Sequence, residues 1–250
     1  MENNKIISLN NQEIKLLKSL KKGDSKTNLF VVEGYHLVQE ALKNNCLLKV
    51  FEIDEQNKLS HLKTNKNIQY FNVSYQILKV ITDTQHPQGV VGLCSKNNTN
   101  SKQDKIVFLD NVQEPGNVGT IIRLCAAFGF DKVIGNIAFN NSKIIRSSQG
   151  AIFNVDLEQI NNSENKTRIQ KLKESGYQII ATCLDKNSIP LSNLSTNLNQ
   201  KIVVILGNEG KGIDKEILEL ADVKIYIPCN FESINVACAG AIILDKIYNK

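Results

Sequence analysis

KIVFLDNVQEPGNVGTIIRLCAAFGF, Lys105–Phe130, is the stretch whose reading decides the fold. It opens on KIVFLD, an apolar run without polar alternation. A turn at Pro115 and Gly116 interrupts it. NVGTIIRLCAAFGF then reads as a helix ended by Gly129. An apolar strand, a polar loop and a helix make the repeating unit of an α/β protein, and the loops after strand C-termini form its ligand crevice. The same pattern recurs in VVILGNEGKGI (Val203–Ile213) and in IPCNFESINVACAGAIILDKI (Ile227–Ile247).

Around these segments, KVIG, YQIIATCL and VKIYIP read as further strands and KTRIQKLKESG as a helix stopped by Gly176. Strand runs this apolar predict a sheet covered on both faces. The final helix, INVACAGAIILDKIYNK, is rich in small residues and predicts close packing against another helix, in the same chain or in a second subunit. Residues 96–104, KNNTNSKQD, are polar throughout and read as a linker. They divide a downstream domain, 105–250, from an upstream one, 1–95. Upstream, helical QEIKLLKSLKK, YHLVQEALKNN and SYQILKVITD alternate with strand-like LFVVEG, LLKVFEID, IQYFNVS and QGVVGLCS. That order predicts a second, smaller α/β domain.

Composition narrows the function. Hydrophobic residues make up 42% of the 250, enough for a core. No apolar stretch approaches the about 20 residues of a membrane span, and MENNKIISLNNQEIK lacks the apolar segment of a signal peptide. The expected compartment is the cytoplasm. Thirty basic against 25 acidic residues give a net charge of +5, which permits phosphate neutralisation on nucleic acid without requiring it. The six cysteines form no C-x-x-C pair, and the three histidines, His36, His61 and His86, are far apart, so no metal site is expected. Cysteines of a cytoplasmic chain stay reduced and serve as small buried hydrophobes.

The loops restrict the chemistry further. LGNEGKG, 206–212, is neither a dinucleotide fingerprint nor a P-loop. Glu209 at its centre would repel a pyrophosphate. It is suited to accepting from hydroxyl or amino groups, or to capping a helix that starts near Ile213. In QEPGNVGTIIRLC, Asn117 is placed to cap the helix. Arg123, on a mostly apolar helix, calls for either a salt bridge or a substrate phosphate. Ser233 and Asn235 stand at the start of the last helix, where free backbone N–H groups and short polar side chains make a ligand site, with Ser233 as the expected cap. IIRSSQGA, 144–151, adds a polar, anion-friendly run.

In this order the segments resemble the SpoU/TrmH family of ribose 2′-O-methyltransferases, of the SPOUT class. Glu114, Pro115, Asn117, Gly119, Arg123, Ala126, Phe128 and Gly129 are similar to its first motif, Gly207, Glu209 and Gly210 to its second, and Ser233, Asn235 and Val236 to its third. RSSQGA resembles the segment between them. SLNNQEIKLLKSLKK, FVVEGYHLVQEAL and TDTQHPQGVVG resemble the substrate-binding domain often fused to these enzymes. The resemblance implies an α/β fold: a SPOUT-type parallel sheet with a C-terminal trefoil knot, preceded by a small ribosomal-protein-like α/β domain. It implies a homodimer, S-adenosylmethionine as methyl donor, and methyl transfer to a ribose 2′-hydroxyl. Ribosomal RNA is the expected substrate, with guanosine as one candidate nucleotide. Transfer RNA methylation and a catalytically inactive RNA-binding relative are the alternatives. Arg123, Asn117, Glu209 and Asn235 are the implied catalytic residues, and Thr182, Leu184, Gly207, Ile227, Ser233 and Ile234 the implied cofactor contacts. The loop between Ile227 and Ile234 is shorter than the family's and lacks its glycine; Asn230 and Phe231 stand there instead.

Overall fold

A computed structural model describes residues 5–21, 28–95, 103–195 and 198–249. Most of the expected linker, 96–102, lies outside the described residues. The chain divides into two compact units, one of residues 1–98 with 140–153 and the other of 99–139 with 154–250. The segment Asn140–Phe153, which the sequence reading assigns to the downstream domain, packs within the first unit.

The first unit is built on strands β1 (Lys5–Ile6), β2 (Leu29–Glu33), β3 (Leu47–Ile53), β4 (Gln69–Val73) and β5 (Val90–Ser95), in the order β1-β4-β3-β5-β2. β1, β3 and β4 run parallel, and β5 pairs antiparallel with β2 and β3. Period-two alternation feeds two cores. On one side Phe30, Val32, Val90 and Cys94 meet Leu37, Val38 and Ala41 of α2 (Tyr35–Lys43). On the other, Val91, Leu93 and Phe51 meet α1 (Gln12–Lys21) and α3 (Tyr75–Ile81). Gly92 lets α2 approach: a Cβ there would lie 3.2 Å from Val38 of that helix, and 2.9 Å from both Leu47 and Val32. α5 (Ser142–Ser147) adds Ile145 to the first core, and Phe153 adds a ring 5.8 Å from that of Phe30.

In the second unit, β6 (Lys105–Asp110), β7 (Lys132–Gly135), β8 (Asp156–Gln159), β9 (Gln178–Thr182), β10 (Ile189–Pro190), β11 (Ile202–Gly207) and β12 (Val223–Tyr226) form one sheet in the order β10-β12-β9-β11-β6-β7-β8. All its pairs are parallel. Both faces are covered, as the unalternating strands require. Ile106, Phe108, Val203 and Ile205 pack under α6 (Asn165–Glu174) and α7 (Lys215–Leu218). α4 (Pro115–Ala127) and α8 (Val236–Tyr248) pack on each other, α4 also on β7 and α8 on β11. Gly240 of α8 serves close packing inside the chain: a Cβ there would sit 3.3 Å from Leu206 and 3.8 Å from Ile121.

Strand order reverses between β6 and β11, so their C-terminal residues, Asp110 and Gly207, lie side by side. This is the switch point at which doubly wound sheets bind ligands.

Candidate active site

Asp110 closes β6 and is buried. Its Oδ1 accepts from Asn111 Nδ2 at 3.0 Å and from Asn165 Nδ2 at 2.9 Å, and its Oδ2 from the backbone N–H of Asp214 at 2.8 Å. One buried carboxylate thus ties the end of β6 to the starts of α6 and α7. Hydrogen bonds to all of these donors offset its desolvation.

The glycine-rich loop turns back on itself. Asn208 and Gly212 exchange backbone hydrogen bonds of 3.0 and 2.9 Å, and Asn208 Oδ1 accepts from the N–H groups of Gly210 and Lys211. Gly212 adopts φ +71°, which favours glycine. Gly207 is glycine for another reason: a Cβ there would lie 2.5 Å from the carbonyl carbon of Gly212 and 2.7 Å from Ile213 N.

Three sequence expectations about caps are corrected. α4 begins at Pro115 and is capped by Glu114, whose carboxylate accepts from Gly116 N–H at 3.3 Å, so Asn117 lies within the first turn. α8 begins at Val236 and is capped by Asn235, not Ser233; Asn235 Oδ1 accepts from Ala237 N–H at 2.9 Å and Cys238 N–H at 3.3 Å. Glu209 does not cap the following helix either, because Asp214 does.

Asn117 and Glu209, displaced from those roles, meet each other and the Asn235 cap. Asn235 Nδ2 donates to Asn117 Oδ1 at 3.0 Å, and Asn117 Nδ2 donates to Glu209 Oε1 at 2.9 Å. Glu209 Oε2 also accepts from Gln113 N–H at 3.4 Å. Burial raises the Glu209 pKa, but the hydrogen bonds from Asn117 and from the backbone N–H groups of Glu209, Gln113 and Glu114 outweigh it and hold the carboxyl below its ordinary value. Residues from three loops far apart in sequence form one chain of donors and acceptors.

Beside this chain, beyond β9, β11 and β12, lie two adjoining cavities. One, of about 660 Å³, is lined by Gly207, Glu209, Ser233 and Asn235 among others. The other, of about 510 Å³, is lined by Ile227, Phe231 and Ile243 among others. Thr182, Leu184, Glu232, Ser233 and Ile234 border both. The whole set Thr182, Leu184, Gly207, Ile227, Ser233 and Ile234 therefore converges on one region. Leu184 and Phe231, each 78% exposed, present bare apolar surface to it.

Residues 104–245 match the SpoU rRNA Methylase family. The chain belongs to that family. Residues 11–92 match the MRM3-like substrate binding domain. The 23S rRNA (guanosine(2553)-2′-O)-methyltransferase RlmP of Bacillus subtilis is 34% identical over 96% of this chain and 97% of its own. The tRNA (guanosine(18)-2′-O)-methyltransferase of Aquifex aeolicus is 35% identical over 57% of this chain and 68% of its own. An AdoMet-bound rRNA methyltransferase from Sinorhizobium meliloti superposes with a TM-score of 0.83 at 26% identity, covering 98% of this chain and 97% of that one.

Within this SpoU unit, Arg123 stands apart from the other singled-out residues. It is exposed, lines neither cavity, and makes no hydrogen bond or ion pair among the described residues. Six residues after Asn117, it projects from a different side of α4. The salt bridge considered for it from sequence is not formed. Sequence reading missed Asp110, Asn111, Asn165 and Asn208, whose hydrogen bonds hold the loops; the terminal Asp of KIVFLD was the available signal. Of the cysteines, Cys46, Cys94 and Cys125 are buried as expected, while Cys229 and Cys238 are exposed. Burial pushes the thiols of Cys94 and Cys125 up, away from thiolate chemistry. Among the described residues no helix is long and apolar enough to cross a membrane, and no three His, Cys, Asp or Glu are grouped to hold a metal ion.

Proposed function

We propose that this SpoU-family protein transfers the methyl group of S-adenosylmethionine to a ribose 2′-hydroxyl of 23S ribosomal RNA. The observation that carries this reading is the chain Asn235–Asn117–Glu209, which draws the three family motifs together beside the paired cavities. The whole-chain relationship to RlmP favours ribosomal over transfer RNA, since the Aquifex relative matches little more than half the chain.

The cavities fit the cofactor's chemistry. Leu184, Phe231 and Ile234 offer apolar surface to a flat base. Thr182, Leu184, Gly207, Ile227, Ser233 and Ile234 would hold it. Glu209 suits a cationic sulfonium and opposes a pyrophosphate. When bound, the cofactor supplies an electrophilic methyl group for in-line displacement. The protein's own residues position the reactants. Arg123 binds the phosphate next to the target ribose and stabilises the developing alkoxide. A guanidinium holds its proton tightly and is a poor base, so the hydroxyl proton passes to water. Asn117 and Asn235 orient the loops, and Glu209 anchors them.

The C-terminal trefoil knot and the homodimer belong to the same proposal. After β12, on the far side of β9, the chain returns to lay α8 against β11 and α4, which supports a threaded path. Exposed Ile242 and Tyr248 on α8 support a second copy seated against that helix. A ribosomal RNA substrate supports a cytoplasmic site of action. The test is mass-spectrometric mapping of ribose methylation in ribosomal RNA from cells with and without the protein. A single 2′-O-methyl group on 23S RNA that disappears with the protein is expected; an unchanged map overturns the reading.

A further inference from the structure

The first unit holds a separate cavity of about 220 Å³. Three segments supply its walls: Glu33–Leu37, the loop 82–90, and α5 with the turn after it. These are the EGYHL, TDTQHPQGV and RSSQ stretches that the active site leaves unused. The volume lies below the about 300 Å³ at which sites for whole small molecules begin, and suits one planar ring system.

Its polar groups are arranged around Arg146. One guanidinium nitrogen, Nη1, is buried 3.8 Å from Glu33 Oε1, beyond hydrogen-bonding distance. The remaining guanidinium donors make no hydrogen bond among the described residues, and the side chain is 33% exposed. Glu33 is committed elsewhere: its carboxylate accepts from the N–H groups of Asp83 and Thr84 and from Thr84 Oγ1, which fixes the loop. Two imidazoles, His36 and His86, line the same space. The Nε2 of His36 lies 3.3 Å from the carbonyl oxygen of Gln149, a residue held at φ +51°, where non-glycine residues are uncommon. Gln88 closes the wall over Gly34, where a Cβ would lie 2.6 Å from its Oε1.

Charge decides between a phosphate and a base. Arg146 faces Glu33, and Lys21 pairs with Asp83 at 2.8 Å, so the cations near the cavity are already offset by carboxylates. An incoming phosphate would gain little there, whereas a neutral base meets no such penalty. The free side of an arginine fork matches the O6 and N7 acceptors of guanine, and imidazole and guanidinium planes stack on unpaired bases.

We propose that this cavity takes one unstacked guanine base of the RNA substrate, read on its O6/N7 edge by the free side of Arg146. The inference rests on the RNA-methyltransferase reading above. It gives the accessory unit a base-specific contact in addition to backbone attraction.

The test uses the full-length protein with 23S RNA transcribed with 6-thioguanosine, irradiated, and mapped by mass spectrometry. Binding and ribose methylation are measured on unmodified 23S RNA in parallel. The expected cross-links fall on peptides containing His36, His86 or Gln149. Arg146→Gln is expected to abolish them and to weaken RNA binding about tenfold, as loss of one bidentate base contact does. S-adenosylmethionine binding should be unchanged by calorimetry. Because Arg146 faces buried Glu33, His86→Ala, at an exposed position, serves as a second variant and should lower the cross-link yield in a chain of wild-type melting temperature. Cross-links that map elsewhere while the wild type still methylates the RNA overturn the cavity assignment alone. Equal yields from RNA carrying 4-thiouridine overturn the choice of guanine. A loss of one unit of salt slope in Arg146→Gln without any cross-link identifies a phosphate contact and overturns the base. A wild type that neither binds nor methylates 23S RNA overturns the functional reading and this inference with it.

Discussion

Asn117→Asp keeps the side chain's shape and removes one donor. Asn117 Nδ2 sits 2.9 Å from Glu209 Oε1, so the substitution sets two carboxylates at that spacing. Unit charges about 3 Å apart repel by about 1.4 kcal/mol in water and about 5 kcal/mol at an effective dielectric of 20. Glu209 is exposed, so the lower end applies: about 1–2 kcal/mol, roughly tenfold in loop population. In the wild type, burial works against ionisation of Glu209, and the Asn117 and backbone hydrogen bonds overcome it. In the variant the carboxylate pair reverses the sign. One pKa rises, and a shared proton restores the missing donor as pH falls. S-adenosylmethionine affinity and methylation should therefore be weak at about pH 8 and recover toward about pH 5. Adding Glu209→Gln restores the pair with donor and acceptor exchanged, while the introduced carboxylate still accepts from Asn235. The double variant should regain cofactor affinity at about pH 8, measured by calorimetry. If it binds no better than Asn117→Asp alone, the hydrogen-bond chain does not set the loops and the reasoning fails.

Arg123→Ala should reduce methylation by about a hundredfold or more, as loss of an oxyanion-stabilising group does. Calorimetric S-adenosylmethionine binding should persist, and turnover near wild type would remove Arg123 from the mechanism. Gly207→Ala forces a Cβ onto backbone atoms of Gly212 and Ile213, which cannot rotate away. It should cost about 1–3 kcal/mol in urea unfolding and abolish cofactor binding. Glu158 sits between Lys132 at 2.7 Å and Arg168 at 2.6 Å. Burial raises its pKa, but the hydrogen bonds and charges of those two cations hold it at about 2. Its folded pKa is depressed, so its contribution is complete above the ordinary carboxylate range and is lost as pH falls toward 2. The stability gap between wild type and Glu158→Gln should narrow through that acid range; a constant gap would contradict the assignment.

The strands and the long helices were legible in the sequence because burial imprints a period. KIVFLD, KVIG, YQIIATCL and KIVVILG fall on β6, β7, β9 and β11, and QEIKLLKSLKK falls on α1. Elements with little apolar content escaped, such as β8, DLEQ, which joins the sheet edge through its pairing with β7. The order of the strands was not legible, since it depends on contacts between residues far apart. The caps failed for a related reason. Asn117 and Ser233 are residues that caps favour, but a cap needs only local geometry, and Glu114 and Asn235 supply it. Long-range partners then claimed Asn117. The placement of Asn140–Phe153 escaped as well, because Ile145 and Phe153 look like ordinary core residues whichever core they enter.

The buried Asp110 carboxylate bears on how the chain can vary in length. It grips the N–H of Asp214 while β11 is in register with β6 up to Gly207, so both ends of the loop between them are pinned. The mutual hydrogen bonds of Asn208 and Gly212 consume the slack in between. An added or deleted residue at 208–213 has to break one of these ties, so random insertion libraries should return almost no folded clones there. The turn at Asp185–Ser188 lies at the surface, closed by its own hydrogen bonds with an outside tie between Lys224 and Asp185 at 3.0 Å, and should accept inserted peptides more readily.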